Sequence, residues 1–242
     1  MKLIKGECLE VMDKLIEEGV KVDAIITDPP YGTTACKWDS VIPFDKMWLR
    51  LNKLIKPNGA IVLFGSEPFS SALRMSNIKN YKYDWYWRKN KKTNFANSKR
   101  QPLRDTECVS VFSKKQAVYN PQGIVRIDKK RIRVKPKNET INAGENDGSL
   151  CGEYVQEFTG YPSQSIDFKC ATKTVHPTQK PVSLMEYLIK TYTNENETVL
   201  DFTMGSGTTI LAAKNLNRRG IGIELDEKYF EIAQKRINGT LN

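Results

Sequence analysis

Asp28-Pro29-Pro30-Tyr31 places an acid, two rigid prolines and an aromatic ring directly after an apolar, strand-like run, Val22 to Thr27. In open α/β sheets, ligands bind in the crevice at the carboxyl ends of the strands. A carboxylate, carbonyls held by two prolines and a flat ring can grip a planar base that carries an exocyclic amino group. The ring stacks on the base while the oxygens accept the amino protons. An ordinary strand-ending turn is the competing interpretation, since Asp-Pro and Pro-Pro are common in turns.

A glycine-rich segment late in the chain could hold a nucleoside. Residues 201–209 (DFTMGSGTT) follow a strand-like run, Thr198 to Leu200, and precede a helix-like stretch, Ile210 to Leu216. This order lets a nucleoside approach the backbone closely. No Lys follows the glycines, so the segment is not a phosphate-binding loop of the P-loop kind. Glu224 ends the next strand about 20 residues beyond the glycines, where an acid can bind ribose hydroxyls.

In type and order, these segments resemble those of the β-group DNA methyltransferases, which use S-adenosylmethionine to methylate exocyclic amino groups at adenine N6 or cytosine N4. That group has its D-P-P-Y motif early and its glycine motif late, and residues 176–181 (HPTQKP) match a third segment. The similarity covers most of the chain, although no motif aligns with residues from about 116 to 172. One departure is Asp201-Phe202-Thr203, where the family usually has D-P-F.

The resemblance implies a circularly permuted Rossmann-like α/β sheet with helices on both faces and an inserted DNA-recognition region. The strand from Thr198 would lie at the centre, beside the strand that ends at Asp28. Strands that alternate with helices also favour a parallel sheet. We expect residues 1–112 to form the catalytic half of the methyltransferase domain, residues 113–175 a target-recognition insertion, and residues 176–242 the cofactor-binding half.

Apolar periodicity predicts the individual elements. Predicted helices cover residues 9–18, 48–55, 68–76, 182–192 and 210–216, and predicted strands cover residues 3–4, 23–27, 60–64, 83–87, 108–112, 198–200 and 220–224. Residues 120–173 are polar and basic with weak periodicity. Core packing is expected for most of the tryptophans, with base stacking as the alternative; they are Trp38, Trp48, Trp85 and Trp87.

The resemblance also assigns roles to residues. Asp28 and the Pro29 carbonyl would accept the amino protons, and the ring of Tyr31 would stack on the base, so the loss of its hydroxyl is expected to be mild. The catalytic prediction is Asp28, Pro29, Pro30 and Tyr31. The cofactor-binding prediction is Glu7, Cys8, Asp28, Thr178, Gln179, Lys180, Asp201, Thr203, Gly205, Ser206, Gly207, Thr208, Glu224 and Leu225.

Two of these assignments, Glu7 and Lys180, have plainer alternatives. Glu7 is expected near the cofactor adenine, but it could equally cap a helix. Lys180 is expected to contact the methionine carboxylate of the cofactor, but it could be a solvated charge. Gly207 is expected to let the ligand approach, so that Gly207→Asp would abolish cofactor binding. His176, the only histidine, is expected to be structural.

The chain is basic, with a net charge of +10 and a pI of about 9.3. Lys and Arg cluster in two segments, which favours contacts with DNA phosphates over a merely solvated surface. The DNA-binding prediction is Arg88, Lys89, Lys91, Lys92, Lys99, Arg100, Lys129, Lys130, Arg131 and Arg133.

Composition excludes several classes of protein. No apolar run approaches the ~20 residues of a membrane span, and the N-terminal residues do not read as a signal peptide. The five cysteines form no C-x-x-C pair, so we expect neither a metal site nor a disulfide framework, and the prokaryotic cytoplasm fits best. No Cys follows a Pro, which disfavours the family that methylates carbon 5 of cytosine with a Pro-Cys nucleophile.

The sequence therefore predicts an enzyme that flips adenine out of a specific double-stranded DNA sequence and methylates its N6 with S-adenosylmethionine. Cytosine N4 is the alternative, disfavoured because the resembling cytosine enzymes more often have Ser where Asp28 stands. An RNA base, a glutamine amide and a catalytically silent DNA-binding module are the weaker alternatives. A homodimer and a cognate restriction endonuclease are further partners that the resemblance allows.

Overall fold

The computed structural model describes residues 1–33, 39–133 and 152–240. Within them the chain divides into two compact units, one formed by Met1–Asn120 and Gln164–Asn242, the other by Pro121–Ser163. Trp38 and two of the cysteines, Cys36 and Cys151, lie outside the described residues, as does the side chain of Arg133. The base-stacking alternative for Trp38 and the DNA contact of Arg133 stay predictions.

An eight-stranded sheet organises the larger unit, in the order β1-β10-β9-β2-β3-β5-β4-β8. Its strands are β1 (Lys2–Lys5), β2 (Val22–Thr27), β3 (Ile55–Gly65), β4 (Tyr81–Thr93), β5 (Arg104–Phe112), β8 (Ser165–Phe168), β9 (Thr198–Asp201) and β10 (Arg219–Glu224). The first five strands in this order are mutually parallel, and β9 lies directly beside β2. The predicted permuted, Rossmann-like arrangement is confirmed.

Strand β5 runs antiparallel to this set, so its first residues, and not its last, lie at the ligand-binding edge of the sheet. Strand β5 is antiparallel to both β3 and β4, with Cys108 opposite Gly65 and Glu107 opposite Trp87. The beginning of β5 therefore lies at the same edge of the sheet as the carboxyl end of β3. Side chains near Glu107 consequently face the crevice in which an α/β sheet binds its ligand.

Helices cover both faces of the sheet, and the described residues form one main core on each face. The helices are α1 (Cys8–Glu17), α2 (Phe44–Leu54), α3 (Phe69–Ser76), α4 (Val182–Tyr192), α5 (Thr208–Asn215) and α6 (Glu227–Asn238). Strand side chains alternate between the cores, so Ile25 packs with α1 to α3 while Ala24 and Ile26 pack with α4 and α5. A smaller third cluster lies between α5 and α6. Among the described residues, no helix has both the length and the apolar character that crossing a membrane would require.

Several element boundaries differ from those that periodicity predicted. Strand β4 continues to Thr93, although its second half is Lys-rich, because it pairs with β5 and with β8. Strand β8 falls inside residues 113–175, and the compact unit found there is narrower, at Pro121–Ser163. Trp48, Trp85 and Trp87 are buried, which confirms core packing for these three.

The smaller unit is built on an antiparallel hairpin of β6 (Val125–Arg133) and β7 (Gly152–Thr159). An irregularity between Arg126 and Lys129 shifts the pairing, and Asp128 within it has a φ of 43°. Because strand side chains alternate between faces, Lys129 and Arg131 share one face of the hairpin while Lys130 lies on the other. This unit was not recognised in the sequence because charged residues occupy both faces of β6.

Close packing beneath β10 generates a stability prediction. A Cβ added at Gly222 would lie 2.3 Å from Sδ of Met204 and 2.9 Å from Cγ1 of Ile210, both of which are buried. Such overpacking costs about 1–3 kcal/mol. We expect Gly222→Ala to lower the free energy of unfolding by that amount in urea titrations. Arg219→Ala, at the exposed start of the same strand, should change it by less than about 0.5 kcal/mol; equal effects would contradict the packing argument.

Candidate active site

A cavity of about 1040 Å³ opens at the carboxyl ends of the parallel strands. Its walls include every residue of the catalytic and cofactor-binding predictions except Gly207. Two of the predicted DNA-binding residues, Lys89 and Lys91, also line it. The fold thus brings the early D-P-P-Y motif, the HPTQKP segment and the late glycine motif to one place.

The D-P-P-Y segment is held by a carboxylate that sequence reasoning missed. Asp39, which is buried, accepts hydrogen bonds from three successive backbone N–H groups, those of Tyr31 (2.8 Å), Gly32 (2.9 Å) and Thr33 (2.9 Å). Three such bonds fix the path of the chain directly after Pro30. The segment is therefore a fixed wall of the cavity.

The carboxylate of Asp28 lies in a network of charges that are partly or fully withdrawn from solvent. Its Oδ2 accepts a hydrogen bond from Nζ of Lys180 at 2.7 Å, and its Oδ1 accepts one from the hydroxyl of Tyr31. Burial raises the pKa of Asp28, and the ammonium of Lys180 opposes that rise. The same burial, reinforced by nearby carboxylates, raises the pKa of Tyr31, so its hydroxyl remains a donor.

Glu107 completes this network from strand β5. Lys180 lies 2.8 Å from its Oε1 and Lys89 lies 2.5 Å from its Oε2, while the hydroxyl of Tyr31 is 3.1 Å from Oε1. Burial opposes the ionisation of Glu107, but the two ammonium groups outweigh it and hold its pKa at about 2. The carboxylates of Asp28 and Glu107 carry charges that these two lysines balance.

Asp201 connects the two motif-bearing strands. It accepts hydrogen bonds from the hydroxyls of Thr27 (2.8 Å) and Thr209 (2.6 Å), and from the backbone N–H of Thr203 at 3.2 Å. Burial raises the pKa of Asp201 to about 6, although the two hydroxyls favour its charged form. These bonds tie the end of β9 to the end of β2, immediately before Asp28.

Glu224 supports the glycine loop at the far side of the cavity. Its Oε2 accepts the N–H of Gly205 at 2.8 Å, and its Oε1 accepts the N–H of Asp226 at 2.8 Å. Burial raises the pKa of Glu224, and these two backbone bonds counteract the rise. Each carboxylate oxygen keeps further lone pairs for hydroxyl donors.

Gly205 and Gly207, the two glycines of the loop, have different surroundings. Gly205 has a φ of 51° and lines the cavity. Gly207 has a φ of 75°, and a Cβ on it would lie 3.0 Å from Cβ of Ala233 and 3.1 Å from Cδ1 of Ile237 in α6. Packing against α6 is thus a second reason for glycine at this position, beside the predicted ligand approach, and Gly207→Asp would disturb α6 as well.

The remaining predicted cofactor residues make local contacts. Glu7 caps α1 by accepting the N–H of Glu10 at 3.0 Å, so the capping alternative is realised while its side chain still lines the cavity. The Sγ of Cys8 lies 3.2 Å from the Glu7 carboxylate, and burial raises the pKa of this thiol to about 12. Leu225 exposes 62% of its surface at the cavity rim.

The HPTQKP segment is ordered by His176. Its ring lies 4.2 Å from that of Tyr229, and its Nδ1 accepts the N–H of Thr178 at 3.2 Å. Burial, followed by the charge of Lys180, lowers the pKa of His176 to about 4. Gln179 in turn accepts the N–H of Val175 at 3.1 Å. These contacts position the segment, which agrees with a structural role for His176.

The predicted DNA-binding residues divide into paired and solvent-facing groups. Lys89 pairs with Glu107, and Arg88 pairs with Asp167 at 2.6 Å. The others in the larger unit are exposed, as are the three described on β6; they are Lys91, Lys92, Lys99, Arg100, Lys129, Lys130 and Arg131. Lys89 therefore neutralises a carboxylate at the cavity, in addition to its predicted role in DNA binding.

Glu107 is the functional candidate that sequence reasoning missed. The predicted strand began at Cys108 and left Glu107 outside. The alternation of side chains along a strand could have identified it, because Glu107 lies on the same face as Val109 and Val111, which are both buried. An acid in the buried register of a strand needs a compensating partner, and the partners come from β4 and from the segment before α4.

Comparisons with known proteins agree with this arrangement. A family described as DNA methylase matches residues 22–235. The Type II methyltransferase M1.MboII of Moraxella bovis is 28% identical over 255 residues, covering 98% of this chain and 96% of its own. M2.DpnII of Streptococcus pneumoniae is 29% identical over 264 residues, with coverages of 98% and 89%.

Solved structures are similar as well. The crystal structure of an M1.HpyAVI–SAM complex has 34% sequence identity and a TM-score of 0.67, covering 97% of this chain and 98% of its own. The PvuII DNA methyltransferase, which is cytosine-N4-specific, has a TM-score of 0.64 at 17% identity, with coverages of 97% and 85%, and shares the fold.

The buried Asp201 predicts a pH dependence of stability. Its pKa of about 6 exceeds the ordinary value of 3.8, so the native state binds a proton that the unfolded state has lost. The contribution of Asp201 to stability therefore decreases as the pH rises from about 4 to about 6, by on the order of 2–3 kcal/mol. The measurement is urea unfolding of wild type and Asp201→Asn across this range. As the pH rises, the free energy of unfolding of wild type should decrease by this amount relative to that of Asp201→Asn. A difference between the two proteins that does not change with pH would contradict the raised pKa of Asp201.

Proposed function

The chain belongs to the N6/N4 DNA methylase family, and we propose that it transfers a methyl group from S-adenosylmethionine to the N6 amino group of adenine in duplex DNA. The observation that carries the proposal is one cavity shared by the D-P-P-Y motif, the glycine loop and Glu224. Methyl transfer requires the donor and the amino nitrogen to meet, and a single crevice can hold both.

The donor set of the cavity fits S-adenosylmethionine. Glu224 offers carboxylate lone pairs for ribose hydroxyls, and Gly205 leaves the backbone open beside it. The exposed Leu225 and the buried Ile223 offer apolar surface for adenine. When bound, the cofactor supplies an electrophilic methyl group on a positively charged sulfonium. The carboxylates that line the cavity suit this positive charge.

The residues of the chain would prepare the amino group of the base. Such a nitrogen is a poor nucleophile because its lone pair is delocalised into the ring. Acceptance of its protons by the Asp28 carboxylate and the Pro29 carbonyl favours a pyramidal nitrogen with an available lone pair. The Asp28 oxygens each accept one hydrogen bond in the structure and retain capacity for another. The ring of Tyr31 would stack on the flipped base and stabilise developing positive charge.

Asp28 favours adenine as the target. We prefer N6 of adenine over N4 of cytosine because the resembling cytosine enzymes more often have Ser at the position of Asp28. The family includes both targets, and cytosine N4 is the second candidate. Flipping either base out of the duplex costs a few kcal/mol, which contacts elsewhere on the DNA must offset.

The β6–β7 hairpin is our candidate for such contacts. A two-stranded β-ribbon fits the major groove, and one face of this hairpin carries Lys129 and Arg131 beside Tyr154 and Gln156 of β7. All four are at least partly exposed. Arg131 is oriented by its hydrogen bond to Gln156, at 3.1 Å. A cognate restriction endonuclease is a further partner to seek, since the named relatives are Type II methyltransferases.

Asp28→Ala tests the proposed chemistry. We expect methyl transfer from labelled S-adenosylmethionine to DNA to fall by on the order of 10²–10³, comparable to the loss of one transition-state hydrogen-bonding group. Cofactor affinity in calorimetry should stay within a few-fold, since Asp28 acts chiefly in the transition state. A folded Asp28→Ala protein with near-full turnover would refute the mechanism. Digested wild-type product should contain N6-methyladenine; N4-methylcytosine alone would refute only the choice of base.

The two faces of the hairpin supply a matched test of DNA binding. Each phosphate contact contributes about −0.9 to the slope of log K against log salt. We expect Lys129→Ala with Arg131→Ala to make the slope less steep by roughly 1.8, whereas Lys130→Ala, on the opposite face of the same strand, should change it little. Filter binding of duplex DNA between 50 and 200 mM salt, a range of about fourfold, measures the slopes. Equal effects of the two faces would overturn the face assignment.

A further inference from the structure

Three distant parts of the chain place charged side chains in contact at the D-P-P-Y motif. Asp28 follows β2, Glu107 lies near the start of β5, and Lys180 lies two residues before α4. The side chain of Lys180 is only 10% exposed, and that of Glu107 only 6%. The ammonium of Lys180 lies 2.7 Å from Asp28 and 2.8 Å from Glu107, so one cation is shared by two carboxylates.

We propose that Glu107 is a positioning residue for methyl transfer, which fixes the carboxylate of Asp28 and the ring of Tyr31 through Lys180 and the Tyr31 hydroxyl. The inference rests on the proposed function and adds to it a residue outside the recognised motifs. Glu107 would not touch the methyl donor or accept the amino protons of the base. Its effect would be transmitted through the two side chains that it holds.

Charge balance is the first argument. Asp28 alone would form a simple pair with Lys180, and the ammonium would be free to tilt within its reach. Glu107 accepts a second hydrogen bond from the same ammonium and thereby fixes its position between two oxygens. Lys89, 2.5 Å from the other oxygen of Glu107, supplies the second positive charge that this additional carboxylate requires. Two carboxylates and two ammonium groups thus balance in a buried site.

Lys180 is consequently committed to this network. Two of its three donors point to Asp28 and Glu107, and its Nζ lies 5.1 Å from the centre of the Phe64 ring. The contact between Lys180 and the carboxylate of the cofactor stays a prediction, and these two ion pairs add a role in holding Asp28. A bound cofactor would have to compete with two buried ion pairs for this ammonium.

The Tyr31 hydroxyl provides the second route. It donates to Asp28 and lies 3.1 Å from Oε1 of Glu107. The ring itself packs against Phe69, with 5.0 Å between ring centroids. The hydroxyl end is thus anchored between two carboxylates, which fixes the plane that a base would meet. Tyr31→Phe, expected from the sequence to be mild, should for this reason reduce the rate more than the loss of a solvated hydroxyl would.

A purely structural ion-pair cluster is the competing interpretation, and pH distinguishes it from a positioning role. Asp28 must be ionised to accept the amino protons, so the acid limb of the rate profile reports its pKa. The charged and titratable groups that face this network are Lys180 and His176 from the segment before α4, Glu107 from β5, Lys89 from β4, Tyr31 from the motif itself and Asp201 from β9. Removing the negative charge of Glu107 should lower the pKa of Asp28, whereas removing the positive charge of Lys180 should raise it.

The experiment measures single-turnover methylation of duplex DNA as a function of pH for wild type, Glu107→Gln and Lys180→Met. We expect the plateau rate of Glu107→Gln to fall about tenfold or more, because displacement of a reacting group by even ~1 Å can cost 10²-fold. Its KM for S-adenosylmethionine should stay within about twofold. The acid limb should move to lower pH in Glu107→Gln and to higher pH in Lys180→Met.

Two further variants distinguish the effects of side-chain position, of charge and of folding on the rate. Asp105→Asn removes a carboxylate from the same strand, two residues away and outside the cavity walls, and should leave rate and pH profile unchanged. Glu107→Asp keeps the charge and shortens the side chain by one methylene, so its rate should fall with the acid limb unmoved. If Glu107→Gln fails to fold, a folded Glu107→Asp protein with the wild-type rate overturns the inference.

The outcomes separate this inference from the proposed function. A wild-type rate in folded Glu107→Gln, or rate losses that follow the unfolding temperature with no movement of either acid limb, would show a structural cluster only. A wild-type protein that transfers no methyl group from S-adenosylmethionine to DNA would instead overturn the proposed function. Opposite movements of the two acid limbs in an active enzyme would support both.

Discussion

The arrangement of the site depends on one electrostatic constraint, the partial burial of the Asp28 carboxylate, whose side chain is 22% exposed in the cavity wall. Withdrawing a charge from water is costly unless an opposite charge compensates it, and the ammonium of Lys180 lies against this carboxylate. A lysine buried to this extent satisfies its donors only with a second acceptor, which is Glu107, and that acceptor requires Lys89. The network therefore fixes four segments of chain that are distant in sequence. Their convergence defines the cavity before any ligand enters it.

The sheet makes this convergence geometrically simple. Parallel strands β9 and β2 bring Asp201 and Asp28 to one edge, where hydrogen bonds through Thr27 hold the two strand ends together. The antiparallel β5 then brings Glu107 to that edge from the opposite direction. A wholly parallel sheet would have placed the start of this strand at the far side. Because β5 is reversed, Glu107 joins the charged network although it lies outside the cofactor half of the fold.

Local patterns in the sequence predicted much of this fold, because the signals involved are local. The apolar run before Asp28 and the glycines after Asp201 each identified a strand end, and all but one of the residues predicted for the site line one cavity. Glu107 was missed because its environment depends on lysines about 20 and 70 residues away, which no periodicity connects. The packing of Gly207 against α6 was missed for the same reason, since its neighbours there are distant in the sequence.

The departure from the family pattern after Asp201 has a physical account of the same kind. Phe202, where the family usually has Pro, is fully buried and packs in the core beneath α1 and α2. Thr203, where the family usually has Phe, donates its hydroxyl to the backbone carbonyl of Asp28 at 3.2 Å. A phenylalanine could not make this bond. Thr203 therefore adds a direct link between the glycine loop and the D-P-P-Y motif. That link acts on the backbone of Asp28, while Lys180 and Tyr31 act on its carboxylate, so the acceptor is held at both ends.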